Sequence, residues 1–107
     1  MSEARLETFK QLLEKDPNDS FTRYALAMEY QSRGDPETAI THLKEVIRRD
    51  AGYIPAYHLL GQVYAKLNRS QEAKNIYRKG IEVAEVAGDL HARKEMTEEL
   101  EELEDEW

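Results

Sequence analysis

The chain has 107 residues, enough for one hydrophobic core and too few for two. Forty per cent are hydrophobic and 35% charged, as in a soluble globular protein, and the absence of cysteine excludes disulfides, thiolate metal sites and cysteine nucleophiles. The net charge of −7 comes entirely from residues 89–107, because the 13 Lys/Arg and 13 Asp/Glu of residues 1–88 cancel; no basic stripe is left to track phosphates, and nucleic-acid binding is not expected.

In chain order, apolar residues at helical spacing predict six helices. The first, about 3–15, sets Leu6, Phe9, Leu12 and Leu13 on one face, and stops before Asp16-Pro17-Asn18-Asp19, where proline disfavours helix. The second, about 20–33, carries Tyr24, Leu26, Ala27 and Tyr30 and closes at Gly34, suited to a left-handed cap. Asp35-Pro36 caps and starts the third, about 36–49, with Ala39, Ile40, Leu43, Val46 and Ile47 inward. The fourth, about 54–67, opens near Pro55 and shows Tyr57, Leu60, Gly61 and Tyr64, with Asn68 in the cap position of Gly34. Ser70 is expected to cap the fifth, which displays Ala73, Ile76, Tyr77 and Ile81 and extends towards Val86. Gly88-Asp89 repeats the stop-and-cap pattern before the sixth, about 90–106, with Ala92, Met96, Leu100, Leu103 and Trp107 as its inward stripe.

Shifting the chain by 34 residues superposes Leu26 on Leu60, Ala27 on Gly61, Tyr30 on Tyr64, Ala39 on Ala73 and Ile47 on Ile81. A further series, Phe9, Leu43 and Tyr77, runs three deep. Such a period is the signature of stacked helical hairpins, each covering an apolar face that its neighbour cannot bury alone. Helices joined by about three residues approach closely only where side chains are small, so Ala27, Gly61, Ala39 and Ala73 face the larger Leu26/Leu60, Tyr30/Tyr64 and Leu43/Tyr77.

These residues resemble the tetratricopeptide repeat (TPR) family. Residues 20–53 match through Leu26-Ala27, Tyr30, Gly34-Asp35, Ala39-Ile40 and Leu43; residues 54–87 match through Tyr57, Leu60-Gly61, Tyr64, Ala73, Tyr77 and Ile81. Residues 3–17 fit the second helix of a preceding repeat, and residues 89–107 an acidic capping helix. Arg23 stands for a usual aromatic, Val46 and Gly80 for a usual alanine, and Ala51 for a usual proline. The resemblance implies an all-α single domain of about six helices, a right-handed superhelical stack of antiparallel hairpins.

It also implies a protein-interaction module whose first helices line a concave groove for a partner's peptide or helix. By that correspondence the groove residues are Phe21, Tyr24, Met28 and Gln31 from one repeat and His58, Gln62, Ala65 and Lys66 from the next. The alternative for Phe21 and Tyr24 is packing against the first helix. The chaperone-tail carboxylate clamp of some relatives is missing, since Tyr24 and Met28 replace its Lys and Asn and Leu59 a second Asn. The partner is therefore another protein of unspecified identity. An alternative reading is self-association through the apolar face of the first helix, Leu6, Phe9 and Leu13.

No catalytic residue, cofactor or metal is expected. His42, His58 and His91 are scattered and assigned to the surface or groove, no phosphate loop occurs, and the acidic run from Glu98 to Glu106 reads as the solvated face of a cap. The charged N-terminus and the lack of about 18 consecutive apolar residues predict a cytoplasmic protein without a membrane segment.

Overall fold

In a computed structural model, which describes residues 2–105, six α-helices and no strands occur among the described residues. They are α1 (Ser2–Lys15), α2 (Ser20–Ser32), α3 (Pro36–Arg49), α4 (Ile54–Lys66), α5 (Ser70–Ala87) and α6 (Leu90–Glu104). All six expected helices are present. Trp107, predicted on the α6 stripe, lies outside the described residues.

Local chemistry accounts for most of the boundaries. Gly34, Asn68 and Gly88 have φ of 82°, 60° and 74°, the left-handed conformation that ends a helix most readily at residues without a bulky side chain. The carboxylates of Asp19, Asp35 and Asp89 each accept from a backbone N–H of the first turn, those of Thr22, Thr38 and Ala92, at 3.1, 3.2 and 3.0 Å. Each satisfies a donor that the helix cannot satisfy itself.

At α5 the expectation fails. Ser70 is the first helical residue, the N-cap is Arg69, and no side chain caps the helix. Arg69 folds back, its N–H donating to the Tyr64 carbonyl at 2.9 Å and its guanidinium lying 4.9 Å from the Tyr64 ring centroid. That leaves Ser70 already inside the first turn.

The helices fall into two compact units, residues 2–50 and 51–105. In the first, α2 packs against both α1 and α3. Leu6, Leu26, Ala27, Ala39, Ile40, Leu43 and Val46 are buried, whereas Leu12 of α1 is 43% exposed. Arg5 Nε pairs with the buried Glu29 at 2.6 Å, and Arg33 pairs with Glu3, fixing α1 along α2 by charge as well as by burial.

In the second unit α4 packs on α5, α5 on α6, and α4 also touches α6. Two glycines permit these contacts. A Cβ on Gly61 would lie 2.5 Å from Tyr77 Cε1, so the tyrosine ring of α5 occupies the space a side chain of α4 would need. A Cβ on Gly80 would lie 2.7 Å from both Tyr57 Cβ and Met96 Sδ. Gly80, a departure from the family pattern, is thus where α4 and α6 approach the α5 backbone. Met96, Leu100 and Leu103 are buried, the inward stripe expected of α6.

Candidate protein-interaction surface

In the first unit, Phe21, Tyr24, Met28 and Gln31 follow one another along α2 at steps of three, four and three, which brings all four to one side of the helix. Asp19 sets this phase by starting the helix just before Phe21. Ala25, Leu26 and Ala27 are the buried residues of the intervening turn. Phe21 is 67% and Met28 41% exposed, so Phe21 does not pack away against α1. Tyr24 is half-buried, and this burial raises its phenol above the ordinary tyrosine value. Gln31 is also half-buried, with its Oε1 enclosed and lacking a hydrogen-bond partner. Elsewhere in this unit His42 stacks on Tyr30 with ring centroids 5.5 Å apart. Burial, then the nearby Arg23 and Lys10 charges, hold His42 below its usual pKa.

In the second unit, His58, Gln62, Ala65 and Lys66 share one side of α4, but two of them are already engaged. His58 Nε2 lies 2.7 Å from Glu99 Oε2 of α6, and Gln62 Nε2 donates to Glu99 Oε1 at 3.3 Å. The Tyr77 hydroxyl of α5 donates to the same Oε1 at 2.7 Å, and the Tyr77 ring meets His58 edge-on. Ala65 is half-buried and Lys66 exposed. Glu99 is therefore not part of the solvated acidic face assigned to residues 98–106. It lies three residues beyond Met96 and one before Leu100, at the margin of the buried stripe, where donors from two helices converge.

Burial alone would raise the Glu99 pKa, but the hydrogen bonds from His58, Tyr77 and Gln62 outweigh it and hold the carboxyl below its ordinary value. Burial and the bond to Glu99 push the Tyr77 phenol far up, keeping it a donor. A carboxyl depressed by folding contributes stability that is present above its ordinary pKa, about 4.3, and lost as pH falls through the lower folded value. Glu99→Gln is therefore expected to be less stable than the parent at pH 7, with the difference closing in acid. Urea titrations from pH 7 to pH 3 measure this, and parallel stability curves for the two proteins would contradict it.

Around this cluster, the outer side of α6 exposes Glu98, Glu101, Glu102 and Asp105, and Arg78 of α5 pairs with Glu104 at 2.8 Å. Among the described residues, no group of three or more histidine and carboxylate side chains is placed to hold a metal ion. No helix among them is long and apolar enough to cross a membrane.

Successive helices joined by short turns, with buried residues recurring every 34 positions at Leu26/Leu60, Ala39/Ala73 and Leu43/Tyr77, define a helical-hairpin repeat protein. The tetratricopeptide repeat model matches residues 30–92, more than half of the sequence, and a second model of that family matches residues 8–41. The chain belongs to the TPR family. It is 29% identical over 92 residues to a TPR repeat-containing protein of Pseudomonas aeruginosa, covering 86% of this chain and 88% of that one. The solution structure of a tetratricopeptide repeat domain protein from Salinibacter ruber is 35% identical, with a TM-score of 0.79 over 83% of this chain and 90% of that chain. The first TPR of Spaghetti, bound to the HSP90 peptide SRMEEVD, shares the fold at 19% identity, with a TM-score of 0.79 over 92% and 76% of the two chains. The TPR fold is generally a protein-interaction module without catalysis of its own.

Proposed function

We propose that this protein binds a peptide or helix of a partner protein on the faces of its first helices, as a non-catalytic scaffold or adaptor. The observation that carries this reading is the exposure of Phe21 and Met28 on the side of α2 they share with Tyr24 and Gln31. Large apolar side chains left in water on one helix face are the usual anchors of a protein interface. In the second unit, Ala65 and Lys66 of α4 contribute directly, and His58 and Gln62 do so to the extent that Glu99 leaves their donors free.

The partner's chemistry differs from that of SRMEEVD. Tyr24, Met28 and Leu59 stand where the resemblance places the clamp's Lys and Asn residues, and they offer no cationic or amide donor to a terminal carboxylate. Phe21→Ala/Met28→Ala is expected to abolish capture of a native partner while leaving the far-ultraviolet circular dichroism unchanged; undiminished capture rejects this surface. A second reading is self-association through α1: of the expected face Leu6, Phe9 and Leu13, Leu6 is buried within the unit, and what favours the reading is the half-buried Phe9 and Leu13 beside Leu12, 43% exposed. A sedimentation coefficient that is constant across the micromolar range eliminates it.

A further inference from the structure

We propose that the half-buried Arg23, with Lys10, Arg48 and Arg49 around it, receives the acidic row on α6 of a second copy of this chain. Arg23 stands where the family places an aromatic, so a permanent cation holds a position that usually serves packing. Of the five N–H donors of its guanidinium, one has a partner among the described residues, the Pro17 carbonyl at 2.8 Å. Glu45 of α3 lies near enough to act on it, but both its oxygens already accept from Arg48 and Arg49. Burial and the Arg49 and Arg48 charges hold Arg23 below the ordinary guanidinium value, and Lys10 of α1 acts together with it on His42. Lys10 is exposed and has no ion pair among the described residues. Four cations from three helices are thus gathered around a carboxylate that is already engaged, an arrangement that an added anion relieves.

The matching charge is carried by the chain itself. Glu98, Glu101, Glu102 and Asp105 follow one another at steps of three, one and three, which puts them on one side of α6 over about 10.5 Å. All four are exposed, and among the described residues none of their side chains has an ion pair or hydrogen bond. Glu98 neighbours Glu102, and Glu101 neighbours Asp105, at the i,i+4 spacing where like charges weaken a helix. Each surface repels itself and holds what the other lacks. A row of carboxylates also suits cations spread over three helices better than one small anion does. The cations lie in residues 2–50 and the row in residues 51–105, so the contact joins unlike surfaces of two copies and leaves one of each free. It uses neither the α2 stripe nor the apolar side of α1.

Sedimentation velocity on the full chain, from about 10 to about 500 μM, reads the association. Salt at about 100 mM screens the net charge of −7 beyond about 10 Å and leaves contacting pairs attractive, whereas about 1 M shortens that length to about 3 Å. The sedimentation coefficient is expected to rise with concentration at the lower salt, and the association to weaken at least about tenfold at the higher. Arg23→Gln/Lys10→Gln removes one surface and Glu101→Gln/Glu102→Gln the other. Each variant alone is expected to associate at least about tenfold more weakly than the parent, with unchanged far-ultraviolet circular dichroism. Mixed in equal amounts, they restore one intact contact, the α6 row of the first variant against the Arg23 cluster of the second. The mixture is expected to form a 1:1 dimer that does not extend, with amide shifts along α6 in one copy and around Arg23 in the other.

A sedimentation coefficient that is constant with concentration at the lower salt overturns the proposal, as does association of equal strength at the higher. So does a mixture of the two folded variants that stays monomeric. Association abolished by Leu12→Ala but kept by Arg23→Gln/Lys10→Gln assigns self-association to α1 and rejects this contact. If inorganic phosphate shifts the amides around Arg23 while the chain stays monomeric, the cluster takes a free anion and the second copy is rejected. Should either variant lose helicity, Arg23→Lys decides in its place: it keeps the charge and is expected to associate within about threefold of the parent, and a loss as large as that of the glutamine variants counts against the proposal. Phe21→Ala/Met28→Ala is expected to leave this association unchanged, so the contact and the partner-binding stripe of α2 stand or fall separately.

Discussion

Truncating Met96 to alanine is expected to lower the unfolding free energy of the second unit by about 2–5 kcal/mol, the range for removing a large buried side chain. Met96 has no exposed surface, and its sulfur lies against the bare Cα of Gly80. A flexible thioether fills this irregular gap where a branched side chain would not. On the α5 side the gap has no side chain to refill it, and Tyr57, whose hydroxyl donates to the Ala51 carbonyl at 2.6 Å, is held from its far end. The hole left by truncation therefore persists. Urea denaturation followed by circular dichroism measures the loss, with Leu90→Ala, at a 66% exposed site on the same helix, as the control expected within about 0.5 kcal/mol. Equal behaviour of the two variants would show that α6 is not packed as described.

The second large effect is at Gly61. Alanine there gains about 1 kcal/mol of helix propensity, yet its Cβ meets the Tyr77 ring at 2.5 Å, and an aromatic ring cannot bend aside as a chain end can. Overpacking of this kind costs about 1–3 kcal/mol, and Gly61→Ala is expected to be destabilising on balance. The first unit indicates the remedy, because 34 residues earlier the same two positions are Ala27 and Leu43, both fully buried. Gly61→Ala combined with Tyr77→Leu is accordingly expected to lose less than the two single changes added together. A double-mutant cycle gives the coupling, and a value of zero would mean that the two positions do not share one space.

Much of the fold could be read from local chemistry. Asp35, Gly34, Asn68 and Gly88-Asp89 act through their own backbone and the next turn, so their roles are written within four or five consecutive residues. Ser70 misled because Arg69, following the left-handed Asn68, stands in the N-cap place that Asp35 holds after Gly34 and Asp89 after Gly88, which sets Ser70 one residue inside the helix. Gly80 looked like a lapse from the family pattern; its reason lies in Tyr57 and Met96, on two other helices.

The candidate surface was legible in the same uneven way. The stripe Phe21–Tyr24–Met28 follows from helical phase, with Phe21 and Met28 exposed and Tyr24 half-buried. The tie of His58 and Gln62 to Glu99 was hidden because a run of acids reads as a solvated face. The signal that would have singled out Glu99 is its place one residue before Leu100, on the margin of the inward stripe, with a histidine and a tyrosine available on the helices it covers.

Glu99 also bears on a choice that burial alone leaves open. The stripe of α6 repeats at fours and threes, so sliding the helix one turn along its neighbours would still present mostly apolar residues to them. Sliding one way puts Leu103 in the place of Glu99, leaving the Tyr77 hydroxyl and the His58 and Gln62 nitrogens without an acceptor. Sliding the other way delivers Glu95 to the donors but sets Ala92 where Met96 had filled the space beside Gly80. A single carboxylate and a single thioether, three residues apart, thus act as two pins that admit one alignment of α6, a specificity bought without any added apolar area.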